Sequence, residues 1–231
     1  MNMRTSELDS CLIELEHILS GLMASNYYFQ YYVESVPTLN TEFQSVSSKI
    51  DNIGPIQDIL LESMIIQLDK LFEIQPQLGK CLKEINQTKL TQVLKDDWMI
   101  IKKNHDTITM WRNGMVAHST QQSKNYLPYH KLDPNHIETQ ESILSTSRFA
   151  VIYLWAIVRN ILPYFQKAMD RKDQLNEGLK VVDKFEFLAT IIHNEKKFFT
   201  KINEDLKKNS LETIIFCGYD DWPINTKNED G

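Results

Sequence analysis

Long runs of apolar residues at helical spacing constrain the fold of this chain more than any other feature. One run extends from Leu8 to Leu22 and a second from Ile56 to Phe72. Apolar residues that recur three and four positions apart form one face of an α-helix. The 231 residues include 7 glycines and 7 prolines, so few positions interrupt such helices. We therefore predict an all-α protein, an antiparallel helical bundle.

Prolines and glycines mark the expected ends of the first two helices. Pro37 is expected to end the first helix near Ser35, because proline lacks a backbone N–H. Pro76 and Gly79 are expected to end the second helix.

The second half of the chain predicts further helices and a domain boundary. One helix is expected from about Leu90 to Ser119, and another from Thr139 to Lys172, with a kink at Pro163. A polar stretch ends at Gly178, so we assign residues 1–177 to the bundle and residues 178–231 to a C-terminal helical extension. The extension is expected to contain a short strand or a docked extended segment and to end in a flexible tail.

The stretch from Trp111 to His118, which reads WRNGMVAH, holds the candidate site. In an uninterrupted α-helix, Arg112 and His118 would lie on either shoulder of an apolar stripe, each about 60° from Met115. Their Cα atoms would be roughly 9 Å apart along the axis, too far for a tight pair within one helix. A second copy related by a two-fold axis could bring the arginine of one chain near the histidine of the other.

The residue types at this stretch suit chemistry on a phosphodiester. Histidine transfers protons near neutral pH, and the planar guanidinium of arginine matches a phosphate. Asn113 could hydrogen-bond either group, so the set suits phosphodiester cleavage without a metal. A structural alternative stays open, because cations are common near a helix C-terminus and Gly114 could mark the end of the helix.

The pattern Arg112-Asn113, four residues, then His118 resembles the arginine–polar–histidine signature of HEPN domains. The flanking sequence is similar to the "RN…AH" form in HEPN proteins of the abortive-infection and toxin–antitoxin kind. The resemblance covers roughly residues 1–175, including the helices on either side of the motif.

The resemblance implies a dimeric helical bundle whose active cleft is shared between two motif helices. Active members cleave RNA without a metal or cofactor, by attack of the 2′-hydroxyl that leaves a 2′,3′-cyclic phosphate. Arg112 would then bind phosphate, Asn113 would orient the pair, and His118 would be the general acid/base. Family partners include an antitoxin or a nucleotidyltransferase. Some HEPN-like proteins instead bind RNA, a nucleotide or a partner protein without cleavage, which is the alternative function.

Two residues are candidates for supporting roles. Many relatives carry an acid shortly after the histidine, where this chain has Ser119 and Thr120. If that acid helps to orient the imidazole, this protein is either a weak enzyme or uses another partner, for which Ser119 is a candidate. His105 lies two helical turns before Arg112 on nearly the same face. It could be a second imidazole of the cleft or a hydrogen-bonded structural histidine.

Charge and cysteine content narrow the class of protein. The net charge of −6 argues against non-specific coating of nucleic acid, but leaves room for a local basic cleft. Three cysteines without CxxC spacing indicate reduced thiols in a cytoplasmic protein and no structural metal site. We expect no signal peptide, and no apolar run long enough to span a membrane.

Overall fold

The computed structural model describes residues 3–42, 53–116, 136–173 and 191–214, and these residues form an all-α helical bundle. The long helices are α1 (Met3–Glu42), α2 (Ile53–Glu84) and α6 (His136–Asn160). Between α2 and α6 lie α3 (Thr88–Val93), α4 (Lys95–Lys102), α5 (His105–Trp111) and a π-helix (Arg112–Val116). After α6 come α7 (Leu162–Asp173) and α8 (Lys196–Lys208).

Side-chain contacts show that α1 runs antiparallel to both α2 and α6. Ser25 on α1 donates a hydrogen bond to Ser63 on α2 at 2.9 Å. Glu14, which precedes Ser25 on α1, pairs at 3.8 Å with Lys70, which follows Ser63 on α2. On α6, Ser147 accepts a hydrogen bond from Asn26 of α1 at 3.0 Å, whereas the indole nitrogen of the later Trp155 lies 3.3 Å from the sulfur of the earlier Met23. The predicted antiparallel arrangement therefore holds for these helices.

The segment from α3 to α5 runs antiparallel to α6 and closes the bundle. The ring centroids of Trp98 and Tyr153 are 5.7 Å apart, and Asn104 donates to Thr146 Oγ1 at 2.6 Å. The helices enclose one apolar core to which every long helix contributes. Apolar burial of this extent is the main favourable term in the folding of such a bundle.

Two prolines lie inside helices that they were expected to end. α1 continues through Pro37 to Glu42, and α2 continues through Pro76 and Gly79 to Glu84. Beyond Pro76, the side chains of Leu78, Cys81 and Leu82 are buried in the core, and their burial explains why the helix continues. Pro163 does coincide with an interruption, because α6 ends at Asn160 and α7 begins at Leu162.

The single helix predicted from Leu90 to Ser119 is wrong in its described part, which is divided into α3, α4, α5 and the π-helix. At the second break, the N–H of Asn104 reaches the carbonyl of Ile101 at 3.4 Å, a tighter turn than an α-helix has. The Asn104 side chain bonds Thr146 instead of solvent. The predicted apolar stripe is nevertheless buried at Ile101, Ile108 and Trp111.

The described part of the C-terminal segment packs on the bundle. α8 buries its apolar face, which consists of Phe198, Phe199, Ile202 and Leu206. Asn160 at the end of α6 donates to the carbonyl of Glu212 at 2.8 Å and accepts from its N–H at 2.9 Å. Residues 211–214 have no regular secondary structure, and residues 215–231 lie outside the described ranges.

Two ion pairs join this segment to buried charges of the bundle. Arg148 on α6 lies 3.6 Å from Glu195, and both side chains are largely buried. Lys201 on α8 pairs with Asp97 on α4, whose side chain is fully buried. Burial raises the pKa of both the Glu195 and the Asp97 carboxyl groups, because it disfavours the charged form.

Glu138–Asn160 is the one segment of the described chain that is apolar and long enough to cross a membrane. Its mean hydropathy is 1.3, and 61% of the apolar window is buried inside the protein. The expectation that no such run exists is therefore wrong by length and composition. Its burial in the bundle is what the core helix of a soluble protein shows.

Cys11 and Cys81 are free, buried thiols on α1 and α2. Burial raises the pKa of the Cys11 thiol to about 12, with a smaller contribution from neighbouring Cys81. Thiols of this kind are poor nucleophiles, because the thiolate is the reactive form. Cys217 lies outside the described residues.

Candidate functional site

A π-helix forms the local framework of the candidate site. It spans Arg112–Val116, directly after α5, and includes Gly114. A π-turn contains one residue more than an α-turn, and such turns occur often at functional sites. The extra residue changes the direction of the following side chains by about 100° relative to an α-helix. The geometry calculated for an uninterrupted α-helix is therefore not kept from Arg112 to Val116, and His118 lies outside the described residues.

Arg112 is held by an acid from a different helix. Its Nε lies 3.2 Å from Oδ2 of Asp69 on α2. The arginine side chain is 46% exposed, whereas the aspartate side chain is 10% exposed. The acid is thus a nearly buried anchor and the guanidinium reaches the surface. The closest contact is through Nε, and arginine carries further N–H donors on its two terminal nitrogens.

Asn113 is the second predicted site residue, and its side chain is exposed. Within residues 53–116 and the other described ranges, no hydrogen bond from Asn113 to Arg112 is present. The residue that contacts the guanidinium there is Asp69.

His105, the predicted supporting residue, also faces α2. Its ring packs edge-on against Phe72, with centroids 4.7 Å apart and an interplanar angle of 88°. Its Nδ1 lies 3.3 Å from Asp106 Oδ1, and 41% of the side chain is exposed. His105 and Arg112 therefore lie along the same side of α2, opposite Phe72 and Asp69 respectively. Seven helical residues correspond to roughly 10 Å along the axis.

His118 and Ser119 lie outside the described residues, as does the loop predicted after them. The described structure thus brings together Arg112, Asp69 and, farther along α2, His105. In the ranges that the structure covers, no group of three or more histidine, cysteine or acidic residues has a geometry that could hold a metal ion.

Two other arginines of the described chain, Arg148 and Arg159, lie on α6. Arg148 pairs with Glu195 and also donates to Gln30 at 3.3 Å, so its charge is used inside the bundle. Burial lowers the pKa of its guanidinium, against the effect of Glu195. Arg148 is therefore a structural residue. Arg159 is on α6, and its Nε is buried.

Asp69 is the site residue that sequence reasoning missed. It lies within the apolar run of α2, four residues after Ile65 and three before Phe72, so all three share one helical face. An acid on an apolar face signals a buried carboxylate that needs a partner. That signal was present in the sequence, but the identity of the partner was not.

No family model matches the chain, and no similar protein was found among curated proteins or among solved structures. The class that the fold defines is an all-α helical bundle.

Proposed function

We propose that this chain is a metal-independent endoribonuclease of the HEPN type, acting in the cytoplasm as a toxin or phage-defence effector. The observation that carries the proposal is the half-exposed guanidinium of Arg112, anchored through Nε by the nearly buried Asp69 on α2. A guanidinium that is held by a carboxylate and is half exposed to solvent suits the recognition of a phosphodiester.

The proposed reaction is an internal transfer of the phosphoryl group. His118, as general base, accepts the proton of the ribose 2′-hydroxyl, and the 2′-oxygen attacks the adjacent phosphorus. The bond from phosphorus to the 5′-oxygen breaks, and that oxygen takes up a proton. The products are a 2′,3′-cyclic phosphate and a 5′-hydroxyl, so no metal is needed to activate water.

Arg112 would stabilise the negative charge that builds on the phosphate oxygens in the transition state. Fixed donors lower the barrier because they need no reorganisation when charge develops. Asp69 would serve as a positioning residue, because it restricts the guanidinium to one orientation. Asn113, exposed beside Arg112, would orient substrate or the histidine. A homodimer would supply the arginine and the histidine of one cleft from two chains.

The test is cleavage of a defined mixed RNA pool by the purified protein in the presence of a metal chelator. We expect wild type to leave cyclic-phosphate ends, and His118→Ala and Arg112→Ala each to lose at least about 100-fold in rate. Arg112→Lys should lose most activity as well, since a lysine keeps the charge but not the planar fork.

His17→Ala is the matched control, because His17 is an exposed histidine on α1, far from Arg112 in sequence. Its cleavage rate should equal that of wild type. Normal cleavage by His118→Ala or Arg112→Ala would exclude the mechanism. Absence of cleavage by wild type, from a protein shown to be a folded dimer, would favour the second function.

The second candidate is a non-catalytic helical module that binds RNA, a nucleotide or a partner protein. The same ion pair favours it, because Asp69 compensates the charge of Arg112 and ties the π-helix to α2 whether or not chemistry occurs. Co-purification with an antitoxin or nucleotidyltransferase encoded alongside this chain, without RNA cleavage, would support the module.

A further inference from the structure

A groove with a volume of about 510 Å³ lies where α4 turns into α5. It is lined by Met99, Ile100, Lys102, Lys103, His105 and Asp106. We call this the elbow groove. It lies at the break between α4 and α5, around Lys103 and Asn104.

The elbow groove combines exposed apolar side chains with cations. Met99 is 54% exposed and Ile100 is 39% exposed, although both are large apolar residues. Lys102 and Lys103 are exposed beside them, and neither forms an ion pair with another residue of the described ranges. Asp106 is the one acid of the lining, and it contacts His105 rather than a lysine. The lining thus carries an excess of positive charge on a chain whose net charge is −6.

This combination matches a nucleotide of single-stranded RNA. Lysine ammonium groups bind phosphates, while apolar and aromatic side chains contact the flat face of an unstacked base. The His105 ring is supported by Phe72, so a base that packs on its exposed part would meet a fixed surface. Methionine adapts to ligands of different shape, which suits binding without sequence preference.

The elbow groove lies along the same side of α2 as Arg112. His105 borders the groove and Arg112 follows seven residues later, roughly 10 Å along the helix axis. About three stacked nucleotides, at 3.4 Å each, span this distance. A strand that places one phosphate at Arg112 can therefore reach the elbow groove without a change of direction.

We infer that the elbow groove is a subsite for single-stranded RNA that binds the nucleotides flanking the phosphate at Arg112. The inference rests on the proposed function, because it takes RNA as the ligand. Lys102 and Lys103 neutralise the phosphates, and Met99, Ile100 and His105 contact a base.

The test measures RNA binding separately from RNA cleavage. Binding of a fluorescent single-stranded oligonucleotide is measured by anisotropy over a series of salt concentrations, in the His118→Ala background so that the RNA stays intact. Lys102→Ala/Lys103→Ala should weaken binding about tenfold at low salt. The slope of log K against log salt should become shallower by about 1.4, which is 0.7 for each lost phosphate contact.

Lys80→Ala/Lys83→Ala is the matched control, since it removes the same charge from exposed positions near the far end of α2. It should leave the affinity and the salt slope close to those of the parent. If both double variants lose the same amount of RNA affinity, the lysines act only through general electrostatic attraction to RNA, and the subsite is overturned. Unchanged binding by the Lys102/Lys103 variant, or no RNA binding by the parent, would overturn it as well.

The outcomes separate the subsite from the proposed ribonuclease. RNA binding that depends on Lys102 and Lys103, in a wild-type protein that does not cleave, supports the subsite and rejects the nuclease. If wild type cleaves RNA and the Lys102→Ala/Lys103→Ala variant cleaves it at the same rate, the nuclease is supported and the subsite is rejected.

Discussion

At the scale of single residues, the nearly buried carboxylate of Asp69 orients the half-exposed guanidinium of Arg112. The carboxylate is shielded by α2 and its neighbours, while the guanidinium keeps about half of its surface in solvent. Solvent weakens the attraction between such partners, so the pair contributes little to stability. Its importance lies in the orientation that it gives to Arg112.

A double-mutant cycle measures the coupling between these two residues. Asp69→Asn, Arg112→Ala and the combined variant, compared by urea unfolding, should give a coupling of about 0.5 kcal/mol, as is usual for partly exposed ion pairs. The more exposed pair of Glu14 and Lys70, at 3.8 Å, should give less. Additive effects of the Asp69 and Arg112 substitutions would mean that the contact does not persist in solution.

Asp97 makes stability depend on pH in an unusual direction. Burial raises the pKa of its carboxyl group above the ordinary 3.8, in spite of the pairing with Lys201. A carboxyl group whose pKa is raised by folding stabilises the folded state when it is protonated, and this stabilisation is lost as the pH rises through the folded pKa. The ionised Asp97 therefore reduces stability at neutral pH relative to its protonated form.

Asp97→Asn, which resembles the protonated residue, should accordingly unfold at a higher temperature than wild type at neutral pH. The difference should shrink as the pH is lowered towards 3.8, because wild-type Asp97 then takes up its proton. Asp96→Asn is the control, since Asp96 is the exposed neighbour on the same helix. The difference in unfolding temperature between Asp96→Asn and wild type should not change with pH in this way. If the difference for Asp97→Asn is also independent of pH, this account is contradicted.

At the scale of elements, the breaks between α3, α4 and α5 determine which side chains reach the surface near the site. Asn104 stabilises the second break through its 2.6 Å hydrogen bond to Thr146, which in turn donates to the carbonyl of Ser142 at 2.7 Å. Asparagine competes with the helix for hydrogen bonds, so a break at this residue has a local cause.

Asn104→Ala should lower the free energy of unfolding by about 1 kcal/mol, the usual net value of a hydrogen bond. Thr146→Val should cost a similar amount or more, since it leaves the Asn104 amide without this partner. The double variant should cost less than the sum, because both substitutions remove the same bond. Strictly additive losses in denaturant unfolding would show that the two side chains act independently.

The sequence predicted the presence of the helices better than their ends. Pro76 was expected to terminate α2, and its cost inside a helix is about 3 kcal/mol. The burial of Leu78, Cys81 and Leu82 beyond it offsets that cost, at roughly 1.5–3 kcal/mol for each large apolar side chain. Such compensation depends on tertiary packing and cannot be read from local spacing.

For the candidate site, the sequence identified Arg112 but neither its partner nor its local conformation. An acid 43 positions earlier becomes its neighbour only once α2 and α5 pack against each other. The π-helix follows directly after buried Ile108 and Trp111 of α5, and the spacing of residues in the sequence does not indicate it. The roles of His118 and Ser119 remain predictions, because these residues lie outside the described ranges.

At the scale of the whole molecule, the segment 191–214 supplies partners for buried charges of the bundle and packs an apolar helix face on its core. It supplies Glu195 to the buried Arg148 and Lys201 to the buried Asp97. It also covers the core with the apolar face of α8. Charges left inside a protein without partners are strongly destabilising.

A chain truncated after residue 190 should therefore lose at least about 3 kcal/mol of stability, because Arg148 loses its buried partner. Thermal unfolding and size-exclusion chromatography should show a lower midpoint and a tendency to aggregate, since the core surface under α8 becomes exposed. A chain truncated after residue 214 is the control and should retain the contacts described here. A stable, monodisperse product ending at residue 190 would show that the extension is dispensable for folding.

The position of Glu195 and Lys201 late in the chain has a consequence for biosynthesis. A ribosome that makes the protein from its N-terminus completes α1 to α7 before either residue has been added. Until both emerge, the nascent bundle holds a guanidinium and a carboxylate for which these partners do not yet exist. The native bundle thus becomes fully stable only after both residues have been synthesised. This order delays completion of the bundle until residues 191–214 have left the ribosome.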